Sequence, residues 1–476
     1  MIDYMRVQFD LLVDGQQVTG ERRLEVVDPA TGEVFAICSC ASPAQLDLAV
    51  ESAAKAFCSW ALTPPQDRQA VVIAMADAME LEIEPLARLL TAEQGKPLSN
   101  ARTEVSGAIH FLRYVATQSL PVEIIEDSCA RRVEVHRRPL GVVAAIVPWN
   151  FPVLTAIMKI GAALVTGNTV VLKPAPTTPL TALMMGAMFC KIVPSGVLNV
   201  VTDRNDLGKA LTSHPSVRRI SFTGSTATGT RVIAAAAETL KRVTLELGGN
   251  DAGIVLADCD PAEVSKKLFD AAFMNSGQVC VALKRLYVHE SLYDAICANL
   301  AHYAQAVVVG PGTHEGVELG PVQNIAQYMK IRSLIDEVRD EGATIAGGEN
   351  LDYSGYFIRP AIVSNILETS RLVKEEQFGP ILPIMSFSEI EEVIIRVNNT
   401  DFGLGNSIWS TDLTTATKVA RHLESGSIWI NQHGDVSPEI PFAGAKMSGM
   451  GVEMAREGLC EFTQATVINY AKNYIK

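Results

Sequence analysis

Basic residues are in deficit in this chain. Forty Lys and Arg face 53 Asp and Glu over 476 residues, a formal charge of −13. That argues against nucleic acid as the main partner, because phosphate binding rests on clustered cations. The densest basic spots, Arg131-Arg132 and Arg137-Arg138, flank Val133–His136 with the alternation of an exposed strand, and read as a solvated or subunit-contacting face. Long apolar runs are missing as well. The longest, Gly141–Leu172, is interrupted by Pro148, Asn150, Pro152 and Lys159. A membrane helix needs about 20 apolar residues, so no membrane partner is expected. The opening Met1–Asp10 mixes charged and apolar residues, unlike a secretory signal. Cysteines number nine, an odd count without framework spacing, and Cys38-Ser39-Cys40 is too tight for a metal or redox pair. A disulfide scaffold is thereby excluded, and a reducing, cytoplasmic compartment is expected. The eight histidines show neither an HExxH pattern nor paired spacing, so no catalytic metal is expected.

What is present is the pattern of a large globular α/β protein, 48% apolar and 20% charged. Residues 42–119 read as helices. Ser42-Pro43-Ala44-Gln45 caps the first, a second runs from Gln66 to Thr91, and a third covers Leu98–Gln118. Then Leu140–Val147 is a continuous apolar run of strand length. A helical pattern follows over Val153–Leu164, then a β-branched run over Thr169–Leu172. Strand, helix, strand with short turns makes a βαβ unit with parallel, buried strands. The alternation continues through Val197–Val201, Asp206–Leu211, Arg219–Phe222, Ser225–Leu240 and Arg242–Glu246, which predicts a doubly wound parallel sheet. A second α/β region begins near Gly248. It holds strands at Ala252–Leu256, Leu286–His289 and Ile381–Phe387, and helices at Pro261–Asn275, Leu292–Val307 and Ile325–Glu341. Gln464–Tyr470 is β-prone and stands apart from any helix; an arm pairing with another subunit would explain it.

The chemistry concentrates in a few turns. Asn275-Ser276-Gly277-Gln278-Val279-Cys280 places a thiol in a polar, glycine-containing segment between apolar runs. Glu246, 34 residues earlier, ends a strand just before Gly248-Gly249. A thiol at a loop tip and a carboxylate at a strand end suit covalent catalysis with a base at hand. Ser221–Gly229 follows a strand and opens a helix, a context that favours a phosphate on the helix N-terminus. Its spacing is G-x-x-x-x-G. Glu246 lies about 22 residues beyond Gly224, where a dinucleotide fold places its ribose-binding acid. Spacing alone therefore leaves Glu246 two roles. Lys173 ends a strand and is stopped by Pro174, and Asn150 stands at the strand-to-helix turn of the first unit, where its amide could serve an oxyanion or cap the helix. Lys159 is a single polar residue within an apolar helix face.

Together these segments resemble the NAD(P)-dependent aldehyde dehydrogenases over essentially the whole chain. The matches are PWNFP at 148–152, VLKP at 171–174, FTGS at 222–225, ELGG at 246–249, SGQVC at 276–280, EEQFGP at 375–380 and PFAGAKMSG at 441–449, in the family's order and spacing. The resemblance implies a doubly wound cofactor domain over 1–120 and 140–246. It implies an α/β catalytic domain over 247–440, with 441–463 packing back, and a small β oligomerisation arm from 121–139 and 464–476. Cys280 resembles the nucleophile, Glu246 the base that activates water, and Asn150 with the Cys280 N–H the oxyanion hole. Lys159 and Glu453 resemble a proton relay. Lys173, Ser225, Gly224, Gly229, Trp149, Glu376 and Phe378 resemble the contacts to the cofactor, NAD with NADP possible. The partners implied are a small aldehyde and further copies of the chain, as a homodimer or homotetramer.

The chain also departs from the pattern. Pro176 stands where many NAD-preferring members carry a glutamate, Asn250-Asp251 where many have a lysine, and Ala443 where glycine is usual. Met158 replaces a frequent aromatic of the substrate pocket, and His433-Gly434 occupy its mouth, which implies a roomier, less aromatic pocket. Arg285 is assigned to the strand after Cys280. A CoA-acylating relative would usually lack the base at Glu246. A non-catalytic scaffold would not need Cys280, Asn150 and Glu246 together.

Overall fold

The computed structural model describes residues 3–472. Its centre is an eight-stranded sheet. Five strands form a parallel core in the order Leu198–Val200, Thr169–Lys173, Val142–Ile146, Val217–Thr223 and Arg242–Glu246. The core strands Val142–Ile146 and Thr169–Lys173 are buried along their whole length, which is why they read as unbroken apolar runs. The edges are antiparallel: an N-terminal hairpin, Leu11–Val13 with Gln16–Val18, closes one side and Gly449–Met450 the other. The hairpin turns on Asp14-Gly15, both with positive φ (52° and 73°), a two-residue turn suited to tight antiparallel pairing.

Among the helices, the expected segment Gln66–Thr91 is two helices, Pro65–Leu81 and Ile83–Gln94. The break falls at Glu82, whose φ −118° and ψ 22° are not helical. Helix Pro43–Trp60 starts on the expected cap, with Ser42 and Gln45 forming a reciprocal capping box. Helix Pro152–Val165 takes its first N–H groups to the buried carboxylate of Glu104, at 3.0 Å from Val153 and 3.2 Å from Leu154.

A second, seven-stranded sheet runs Thr344–Ala346, Ala361–Ser364, Ile381–Phe387, Leu283–His289, Asp251–Val255, Gly405–Trp409 and Ser427–Ile430. All its neighbours are parallel except the first pair. The helix expected to reach Asn275 stops at Phe273, because Asn275, Ser276 and Gly277 take left-handed backbone angles in succession.

The C-terminal strand, Thr463–Ala471, corrects one expectation. It has a partner in its own chain: it pairs antiparallel with Arg131–Pro139, which in turn pairs with Glu123–Asp127. The arginine-rich strand is thus the centre of a three-stranded sheet. Among the described residues the outer edge of Thr463–Ala471 stays unpaired, with Val467 64% exposed. All nine cysteines are free thiols, and among the described residues no helix is long and apolar enough to cross a membrane.

Candidate active site

The parallel register aligns the carboxyl ends of the first sheet. Lys173 pairs with Ile146, Ile146 with Phe222, and Thr223 with Glu246. This row is the edge where open α/β sheets bind ligands. From it the chain crosses at Gly248-Gly249 into the second sheet. The two glycines are required by close approach. A Cβ at Gly249 would lie 2.5 Å from the Cys280 carbonyl oxygen, and one at Gly248 would overlap the Glu376 carboxylate. The turn after Glu246 is thereby packed between the Cys280 loop and the segment 375–380.

Cys280 is half-buried on a loop held from beneath. The Ser276 hydroxyl donates to Gly320 O at 2.7 Å, and Gln278 Nε2 to Asn275 O at 2.9 Å. Burial pushes the Cys280 thiol pKa up, and the Asp251, Glu246 and Glu376 carboxylates push it further. The structure brings Asn150 to the same loop. Its Nδ2 donates to Gln278 O at 3.0 Å, which leaves one N–H free. Its own carbonyl accepts from Lys96 Nζ at 2.9 Å and Asn275 Nδ2 at 3.2 Å. Lys96 is buried and ion-paired with Glu104, so Asn150 is fixed through a network its own motif does not reveal.

Glu246 is 4% exposed, and among the described residues neither of its carboxylate oxygens has a hydrogen-bond partner. Burial raises its pKa well above the ordinary value; Glu453 adds to this and Lys159 opposes it. Lys159 and Glu453 are directly ion-paired in the interior. Ser221, whose part was not read from sequence, joins them: it accepts from Lys159 Nζ at 3.0 Å and donates to Glu453 at 3.2 Å. Glu453 is brought in by the PFAGAKMSG segment, through a two-way backbone bridge to Phe442. Met158 lines a narrow apolar cleft over Lys159 and Glu453, together with Phe111, Tyr114 and Met454.

The remaining expected residues form a second group. Ser225 is the exposed cap of helix Thr226–Ala237 and accepts from Thr228 N at 3.3 Å. Gly224 donates its N–H to Glu246 O at 3.0 Å, and Gly229 packs on the Leu247 side chain. Lys173 is buried against Asp203 at 2.7 Å. Trp149 and Phe378 meet edge-to-face at 5.3 Å. Glu376 accepts from Gly249 N at 3.1 Å, and burial pushes its pKa up to about 7. Thr223 adds a buried hydroxyl, without a partner among the described residues, beside the helix N-terminus.

Three departures acquire a physical sense. His433 is bound on both sides, Nδ1 to Ser407 Oγ at 2.9 Å and Nε2 to Val281 O at 2.8 Å, and burial lowers its pKa to about 4. It therefore props the residue after Cys280. Arg285 lies in strand Leu283–His289 as expected and donates to the carbonyls of Asn250 and Val397. At the positions without the lysine, the Asn250 side chain donates to Val373 O at 2.8 Å and Asp251 is buried in a strand where it pairs with Leu283.

Two parallel α/β sheets, with Asn150, Lys173, Glu246 and Cys280 gathered near the strands' carboxyl ends, have the architecture of nucleotide-linked enzymes. Comparison with known proteins makes the assignment specific. The aldehyde dehydrogenase family model matches residues 16–468. The chain is 40% identical to a phenylacetaldehyde dehydrogenase from Pseudomonas fluorescens, covering 98% of this chain and 97% of that protein. It is 38% identical to a cytosolic aldehyde dehydrogenase from Rattus norvegicus, over 94% and 91% of the two chains. The solved NAD+ complex of a Bacillus cereus aldehyde dehydrogenase superposes with a TM-score of 0.96 at 34% identity, covering 98% and 97%. The chain belongs to the aldehyde dehydrogenase family and is an oxidoreductase.

Proposed function

We propose that the protein oxidises an apolar aldehyde to the carboxylic acid with NAD as acceptor, through a thioester on Cys280. The observation that carries the reading is Glu246: a buried carboxylate with both oxygens free among the described residues, near enough to Cys280 for its charge to raise the thiol pKa. The Cys280 thiol loses its proton to solvent as its sulfur adds to the carbonyl carbon. The oxyanion accepts from the free Asn150 N–H and from the Cys280 N–H, two donors fixed before the reaction begins. When bound, NAD supplies the hydride acceptor. Trp149, Lys173, Gly224, Ser225, Gly229, Glu376 and Phe378 are the residues assigned to hold it. The capped helix N-terminus, the unpartnered Thr223 hydroxyl and the buried Glu376 carboxylate suit a pyrophosphate and a ribose. Loss of hydride leaves a thioester. Glu246 then takes a proton from water, whose oxygen attacks the acyl carbon; the bond to Cys280 breaks and the acid leaves. The proton passes on toward Lys159, Ser221 and Glu453. A CoA-acylating enzyme would not need this base.

The phenylacetaldehyde relative and the apolar residues Met158, Met454 and Phe111 favour aromatic and long aliphatic aldehydes over charged ones. Arg285, bound to two carbonyls, is not free for a substrate carboxylate. An aldehyde panel with both cofactors tests the reading; activity confined to carboxylate-bearing semialdehydes would refute the substrate class.

Cofactor choice follows from Pro176. A glutamate there would bind the ribose diol and repel a 2′-phosphate, and proline does neither. NAD is expected to be preferred, with NADP tolerated better than in relatives that carry the glutamate. A kcat/KM ratio above about 1000-fold, roughly 4 kcal/mol, would show that another residue excludes the phosphate.

The unpaired edge of Thr463–Ala471 supports a homodimer or homotetramer joined by edge pairing. Light scattering at micromolar concentration is expected to give a multiple of the 51.3 kDa chain. A clean monomer contradicts it.

A further inference from the structure

Two loops that must agree in position carry backbone strain. In the Cys280 loop, Asn275 (φ 51°), Ser276 (φ 56°) and Gly277 (φ 72°) are left-handed in succession, and in the segment 375–380 Phe378 is left-handed too (φ 54°). Non-glycine residues hold such angles only where the surroundings over-determine them. Each loop has its own anchors. Ser276 is tied to Gly320, while Gln327 Nε2 holds the carbonyls of Gln377 at 2.7 Å and Phe378 at 3.0 Å. Between the two loops lies Lys284.

Lys284 is 1% exposed. Its ammonium donates to Gly379 O at 2.9 Å, and it lies so close under Gly277 that a Cβ there would stand 2.7 Å from Nζ. Among the described residues no carboxylate is within ion-pairing distance of it. Asp251 and Glu376 act on it only from further away, and burial lowers its pKa to about 7. A buried amine without a paired carboxylate is a poor source of stability. Its value lies in what it joins: one end of the cofactor segment and the backbone three residues before Cys280.

We propose that Lys284 is a positioning residue that locks the Cys280 loop to the segment 375–380, so that the thiol and the cofactor-binding carboxylate Glu376 keep one fixed geometry for hydride transfer. The inference rests on the reading of Cys280 as nucleophile and Glu376 as cofactor contact. A bolt of this kind differs from a stabilising contact in a measurable way. Replacing it with an apolar side chain of similar length removes a desolvated charge, so stability holds or rises, while alignment of the reacting centres is lost.

The test is Lys284→Met in the full chain, with the rate of the first NADH turnover, the KM for NAD and the Tm measured together. The expected result is an unchanged or higher Tm and a first-turnover rate lower by about tenfold or more, in the range that an ångström of misplacement causes. Lys284→Gln, which keeps one donor for Gly379, is expected to recover part of that rate. A first-turnover rate within about twofold of the parent overturns the proposal, as does a fall in Tm with the rate per folded molecule unchanged. Failure of both variants to fold overturns it as well, since the amine would then be a stability element. Cys280→Ser run in parallel separates the two readings: full NADH formation in that variant refutes the nucleophile assignment and leaves the bolt without an object.

Discussion

Cys280→Ala is expected to abolish aldehyde-dependent NADH formation, with residual activity below about 1% of the parent rate, and to abolish ester hydrolysis with it. The substitution removes one atom from a half-buried side chain. The loop around it is held by Ser276 to Gly320 and by Gln278 to Asn275, none of which involves the sulfur, so the fold and Tm are expected to persist. Burial and three carboxylates raise the thiol pKa in the unliganded protein. The thiol form is therefore favoured in the unliganded protein. Alkylation of Cys280 is accordingly expected to be slow near neutrality without cofactor. Activity well above 1% would mean that the oxidation does not pass through this sulfur.

Glu246→Gln is the second large effect. A glutamine fills the same space but cannot take a proton from water. The first turnover of NADH is expected to survive at one equivalent per site, with steady turnover slower by about 100-fold or more, the usual contribution of a general base. The pH dependence has a definite sign. Burial, then the Glu453 carboxylate, raise the Glu246 pKa, and Lys159 lowers it in part. The base works only when ionised, so turnover falls as pH drops through its raised pKa, at a pH above the ordinary carboxylate range. That acid limb should be absent from the Glu246→Gln variant. Loss of the first turnover itself would instead favour a ribose-binding role for Glu246.

The sequence showed the parallel core plainly because buried strands between short turns leave apolar runs such as Val142–Ile146 that nothing else in the chain resembles. The candidate site was legible in part for a related reason: Asn150, Lys173 and Glu246 stand at or just past the ends of such runs, within two residues of a glycine or proline. The rest depends on distance in space. Gln16–Val18 is mostly exposed and short, and the break at Glu82 is marked only by Pro85, which falls in the first turn of Ile83–Gln94, where a proline is tolerated. The C-terminal strand seemed partnerless because its partner lies over 300 residues earlier, at Arg131–Pro139. Ser221, Lys96, Glu104 and Lys284 each look ordinary in their own segments. Their roles come from contacts as far apart as Ser221 with Glu453 and Lys96 with Asn150. Lys284 in particular reads as the polar start of a strand, yet it is one of the largest fully buried side chains of the protein.

The central claim is the acyl bond to Cys280, and mass spectrometry of Glu246→Gln quenched after mixing with NAD and phenylacetaldehyde tests it most directly. Thioester formation adds the aldehyde and removes two hydrogens. That mass increment is expected on the peptide containing Cys280, near one equivalent per chain, and is expected to be absent from the Cys280→Ala, Glu246→Gln double variant. An unmodified Cys280 after a full equivalent of NADH has formed, or the acyl group on another residue, would contradict it.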